Sequence, residues 1–120
     1  MDAGKLFDAE YRFMSLMWDY EPVNSTELVK ICGKELGWKK STTYSMIKRL
    51  SLRGIVMNEN TMVTTLVKRD QVQKYEAGNV LAKVFDGSLP SFITTFLSEK
   101  NLSREEADEI IKIIKGAVYE

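Results

Sequence analysis

The sequence predicts a mainly α-helical protein carrying one small β-hairpin, and three observations lead there. Apolar residues recur at helical spacing through most of the 120 residues. Helix start and stop signals punctuate the same windows, among them Asn24-Ser-Thr-Glu27, Gly37, Gly54 and Ser103-Arg-Glu-Glu106. Only two short β-prone segments occur, and they are neighbours joined by a polar turn.

The first helix is expected from Asp8, which can cap it, to Tyr20, with Tyr11, Met14, Met17 and Trp18 on one side. Glu21-Pro22 ends it, because the residue before a proline is pushed out of helical backbone angles. Asn24 opens the second helix in a capping box with Glu27, and Gly37 closes it after Leu36. The third runs roughly from Ser41 to Arg53 and stops at Gly54. At about 100° per residue, its Thr43, Met46, Ile47 and Leu50 gather on one side, which must be buried. Ser41, Ser45 and Lys48 then face away, flanked by Thr42, Tyr44 and Arg49. Leu52 also falls on that exposed side, and the pattern offers no reason for it.

Ile55–Met57 and Met62–Val67 are the expected strands, with Asn58-Glu59-Asn60-Thr61 as the turn. A helix from about Asp70 to Phe85 follows, weakened by Gly78. Gly87-Ser-Leu-Pro90 breaks the chain before a shorter helix from about Ser91 to Glu99. The Ser103 capping box opens the last helix, which carries Ala107, Ile110, Ile111, Ile114, Ala117 and Val118. Three helices, a hairpin and three more helices result. The first half is the order of a winged helix-turn-helix whose hairpin is the wing. The expected organisation is a winged-helix DNA-binding domain over residues 1–69 and a helical dimerisation domain over residues 70–120.

Composition narrows the chemistry. The chain has no histidine, which removes Ser–His–Asp and Cys–His catalysis and the commonest metal ligand. No CxxC pair, GxGxxG or GxxxxGK[ST] occurs, so no metal and no cofactor are expected. Carboxylates are scattered along helix surfaces, where solvated ion pairing is the better account, and an enzyme is not expected. The single cysteine, Cys32, lies in an apolar helical stripe and reads as a buried core thiol. No apolar run approaches the roughly 18 residues of a membrane span, and the charged N-terminus is no signal peptide; a cytoplasmic protein is expected.

Charge is informative locally. Seventeen basic side chains balance seventeen acidic ones, yet Lys39 to Arg53 contains Lys39, Lys40, Lys48, Arg49 and Arg53 and no acid. The second helix of a helix-turn-helix enters the major groove, with small side chains at base edges and long cations on phosphates. Ser41, Thr42, Tyr44 and Ser45 suit the first task, and Lys39, Lys40, Lys48 and Arg49 the second. The expected partner is double-stranded DNA. The alternative is a winged-helix module that docks on an acidic protein without reading sequence. The last helix carries too broad an apolar stripe for a free surface, so Ile110, Ile111 and Ile114 point to a homodimer.

Four segments give a family resemblance: "AEYRFMSLMWD" (Ala9 to Asp19), "STTYSMIKRLSLRGIV" (Ser41 to Val56), "VFDGSLPSFITTFL" (Val84 to Leu97) and "LSREEADEI" (Leu102 to Ile110). In order and spacing the chain resembles the bacterial penicillinase repressors, which include the β-lactamase and methicillin-resistance repressors. The resemblance implies a homodimeric transcriptional repressor on a pseudo-palindromic operator, controlling antibiotic-resistance or cell-wall-stress genes. It places Ser41, Thr42, Tyr44, Ser45 and Arg49 where relatives contact operator DNA. Phe92, Phe96 and Val118 complete the expected dimerisation residues. Tyr44 stands where several relatives have arginine, and Ser45 where they have threonine. The wing is shorter and lacks the tyrosines of the family's second wing strand. Well-studied relatives are inactivated by cleavage of an Asn–Phe bond, whose counterpart here is Thr95-Phe96; a membrane-bound sensor protease would be the partner in such a switch. The alternative is that Phe96 is only a core or interface aromatic.

Overall fold

The computed structural model describes residues 5–118, and among them six helices and a three-stranded sheet. Helix α1 (Asp8–Tyr20) buries Phe13, Met14 and Met17 on one face, and Glu21 leaves it in extended geometry at φ −65°, ψ 148°. Its N-cap is Phe7 and not Asp8, which instead starts the first turn. The Phe7 N–H donates to Glu10 Oε1 at 2.9 Å, so Glu10 satisfies the helix end that Asp8 was expected to serve.

A strand that periodicity did not predict follows: β1 (Val23–Asn24), only two residues long. Helix α2 (Ser25–Leu36) begins where Asn24 Oδ1 accepts the Thr26 N–H at 2.9 Å. Half of the expected box is therefore present, while Glu27 pairs with Lys30 at 4.0 Å. Gly37 closes the helix at φ 69°, a left-handed conformation that costs glycine little. Helix α3 (Lys40–Leu52) buries Thr43, Met46, Ile47 and Leu50, the four residues its pattern predicted.

Strands β2 (Val56–Glu59) and β3 (Met62–Thr65) pair antiparallel, with Val56 opposite Thr65 and Glu59 opposite Met62. The turn is therefore Asn60-Thr61 alone, two residues with positive φ (52° and 64°), as a tight hairpin requires. Asn58 and Glu59, expected in the turn, are strand residues, and β3 stops before Leu66. Strand β1 adds to the other edge of β3, in the order β1-β3-β2.

The first compact unit runs to Asn79. Its core joins Phe13 and Met17 to Leu28, Cys32, Leu50, Ile55, Val63 and Val72, the last from the start of α4 (Arg69–Val84). Arg69 fastens that start to α1 through Asp19 at 2.8 Å and lies 5.4 Å from the centre of the Trp18 ring. Trp18 itself donates to the Val67 carbonyl at 2.9 Å. Burial pushes the Cys32 thiol above its ordinary value, offset in part by the Thr43 hydroxyl.

The second unit starts at Val80. It holds the end of α4, α5 (Leu89–Leu97) and α6 (Arg104–Ala117). Asp86 and Gly87, both at positive φ, break the chain, and the Ser88 hydroxyl caps α5 by accepting the Ser91 N–H at 3.1 Å. Helix α5 thus begins earlier than expected and holds Pro90 in its first turn, where the missing N–H costs nothing. Ser103 caps α6 by accepting the Glu106 N–H, as expected. Neither α5 nor α6 has a buried residue.

Candidate nucleic-acid interface

Helix α3 is the second helix of the helix-turn-helix, and it starts without a side-chain cap on its first N–H groups. Lys39, the N-cap residue, is extended at φ −72°, ψ 155°. A positive helix end and two adjacent lysines therefore coincide, which favours an anion there. Lys39, Lys40, Ser41, Thr42, Tyr44, Ser45, Lys48 and Arg49 are all exposed, while Thr43, Met46, Ile47 and Leu50 turn inward. The helix presents hydroxyls between cations and carries no acid of its own. The Lys40 ammonium lies 5.9 Å from the centre of the Tyr44 ring, so the charge rests partly on the aromatic face. Leu52, at the end of the same exposed side, is 81% exposed.

Arg49 has a partner that the sequence reading missed. Glu10, on α1, is 1% exposed and faces α3 as the one buried carboxylate among the described residues. Arg49 Nε lies 3.1 Å from Glu10 Oε2, and Arg53 Nη1 donates to both Glu10 oxygens at 3.0 Å. Arg53 Nη2 donates in turn to the Lys5 carbonyl at 2.7 Å. Arg49 Nη2 also approaches the Met46 sulfur at 3.3 Å. A signal was present: Glu10 stands three, four and seven residues before Phe13, Met14 and Met17, on their buried face.

The wing contributes shape more than charge. Its end, Asn58 to Thr61, holds one acid and no base. Outward along it stand Met57 and Met62, both exposed. Its turn is tied to the start of α2, where Asn24 Nδ2 donates to Thr61 Oγ1 at 3.0 Å and Ser25 N–H to the Thr61 carbonyl at 2.8 Å. Among the described residues no cluster of three or more metal-ligating side chains occurs.

In the second unit the expected dimerisation residues are exposed, except Phe92. Phe92 is half-buried between Phe85 and Phe96, with ring centres at 5.3 and 6.0 Å. Phe96 is 53% exposed, and Ile110, Ile111, Ile114 and Val118 are exposed as well. Ile113, which the sequence reading passed over, is 63% exposed. Thr95 is exposed, and the Thr95–Phe96 bond lies inside α5.

With this geometry in view, comparison with known proteins is decisive. The family model described as the penicillinase repressor matches residues 6–116. The chain belongs to the penicillinase repressor family. It is 24% identical over 115 residues to the penicillinase repressor of Bacillus licheniformis, covering 92% of this chain and 90% of that protein. It is also 24% identical over 110 residues to the penicillinase repressor of Staphylococcus aureus, covering 88% and 87%. As a family member the chain is a transcriptional repressor, built as a winged helix followed by a helical region. No single described helix of this repressor is long and apolar enough to cross a membrane.

Proposed function

We propose that this repressor binds double-stranded operator DNA as a homodimer, reading sequence with the exposed side of α3. One observation carries the reading. Among the described residues of the winged unit, α3 is the helix without an acid, it combines small hydroxyls with cations on its exposed side, and it is the helix that a helix-turn-helix inserts into the major groove. Ser41, Thr42, Tyr44 and Ser45 meet base edges; Lys39, Lys40 and Lys48 meet phosphates; Arg49 can serve either. A formally neutral protein suits this role, because counterion release depends on charge at the contact and not on the total.

The dimer is supported by the second unit. Helix α6 alone leaves Ile110, Ile111, Ile113 and Ile114 exposed, an apolar surface that a symmetric partner would cover. Two copies joined there present two α3 helices, so the operator is a pseudo-palindrome with half-sites one or more turns apart. Two relatives are named penicillinase repressors, which supports antibiotic-resistance genes as the regulated ones. Proteolytic induction by a membrane-bound sensor would have to unwind the end of α5 before Thr95–Phe96 entered a protease.

Selection of bound duplexes from a random library at physiological salt tests the proposal. Enrichment of a two-fold related motif is the expected result. Retention of duplexes with no enriched motif would favour the docking module instead.

A further inference from the structure

Glu10 is the one residue of the buried face of α1 that hydrophobic packing cannot explain. Replacing such a buried ion pair by apolar residues is often neutral or stabilising, so its presence alone says little about stability. Its geometry says more. The carboxylate binds two arginines set four residues apart on α3, one inside the helix and one at its C-cap. Arg53 takes both oxygens and is itself tied to the Lys5 carbonyl, which orients the carboxylate. Arg49 then takes Oε2 through Nε alone, while 56% of its side chain stays exposed on the side offered to DNA. An unheld arginine would sample many rotamers and lose that freedom on binding. A fork held at Nε and braced at Nη2 on the Met46 sulfur is already oriented.

We propose that Glu10 is a positioning residue for the operator interface: it presents the Arg49 guanidinium to DNA in one orientation and, as the carboxylate paired with it among the described residues, limits how much positive charge that end of α3 offers. The proposal rests on the operator-binding reading. It assigns to a side chain in the core a share of the sequence selectivity expressed at the surface.

Removing the negative charge should therefore strengthen indiscriminate binding while weakening discrimination. Glu10→Gln keeps the shape and two polar atoms but removes the carboxylate charge that Arg49 meets. Affinity of the full chain should be measured for its selected duplex and for a scrambled duplex of equal length, across a salt series. For Glu10→Gln, scrambled-duplex affinity should hold or rise, with a steeper salt dependence, and the selected-to-scrambled ratio should fall roughly 10- to 100-fold, the worth of one oriented arginine contact. A purely structural role would lower both affinities together, as the folded fraction fell.

Arg49→Lys keeps the charge and removes the fork, and tests the presented arginine without disturbing the buried carboxylate. It should lose the same selectivity, and Glu10→Gln added to it should cost no more. Wild-type selectivity in Arg49→Lys, or in a folded Glu10→Gln, would overturn the inference. A wild-type chain that does not distinguish the two duplexes would overturn the operator reading itself.

Discussion

At the scale of residues, what the sequence could reveal was side chemistry, and what it hid was pairing. The positive run from Lys39 to Arg53 was visible because charge needs no fold to be counted. That Arg49 and Arg53 share Glu10 was not, because the partners lie 39 and 43 positions away and meet only once α1 packs on α3. Leu52 was expected on the exposed side and is there, 81% exposed. Lys39 and Lys40 make a simpler prediction. Each stands exposed at the start of α3, where a phosphate would gain both the ammonium and the helix end. Lys39→Ala and Lys40→Ala should each weaken all duplexes alike and flatten the slope of log affinity against log salt by about 0.9. A titration series on selected and scrambled duplexes checks this; a loss confined to the selected duplex would mean that the lysine reads bases.

At the scale of elements, helices were more legible than strands. The buried side of α3 emerged residue for residue, because a 3.6-residue period repeats several times within thirteen residues. Strand β1 has two residues and no period to detect; it exists because β3 offers Val63 and Met62 as partners to Val23 and Asn24. The wing turn was placed two residues wide of its mark for a related reason. A two-residue hairpin normally advertises itself by glycine, and here Asn60-Thr61 takes the positive-φ positions, with Thr61 held by Asn24 and by the backbone of Ser25. Asn24 therefore joins two elements, capping α2 through Oδ1 and steadying the wing through Nδ2. Asn24→Ala should cost about 1–2 kcal/mol, the upper range for a lost cap. Urea unfolding is the check, and a change below a few tenths would show that water replaces both contacts.

At the scale of the whole molecule, α5 and α6 hold no buried residue, and the proposed dimer is what would cover them. Periodicity exposed the stripe on α6, and its breadth is what raised the expectation of a homodimer, while Ile113 escaped the pattern and is 63% exposed. In full-length protein, Ile111→Glu with Ile114→Glu should leave the winged unit folded, because both side chains are already exposed. It should yield a monomer in sedimentation and reduce affinity for the two-half-site duplex by roughly 10²- to 10⁴-fold, the gain that linkage of two binding modules supplies. A persistent dimer would place the interface elsewhere.

The claim that α3 reads the operator, twice, in a symmetric dimer is tested most directly by repeating the duplex selection with Thr42→Ala and with Ser45→Ala. Both hydroxyls are exposed on α3 and hold no place in the core. Each variant should enrich a motif changed at one or two base pairs, and the same change should appear in both half-sites. An unchanged motif bound more weakly, or a change in one half only, would contradict it.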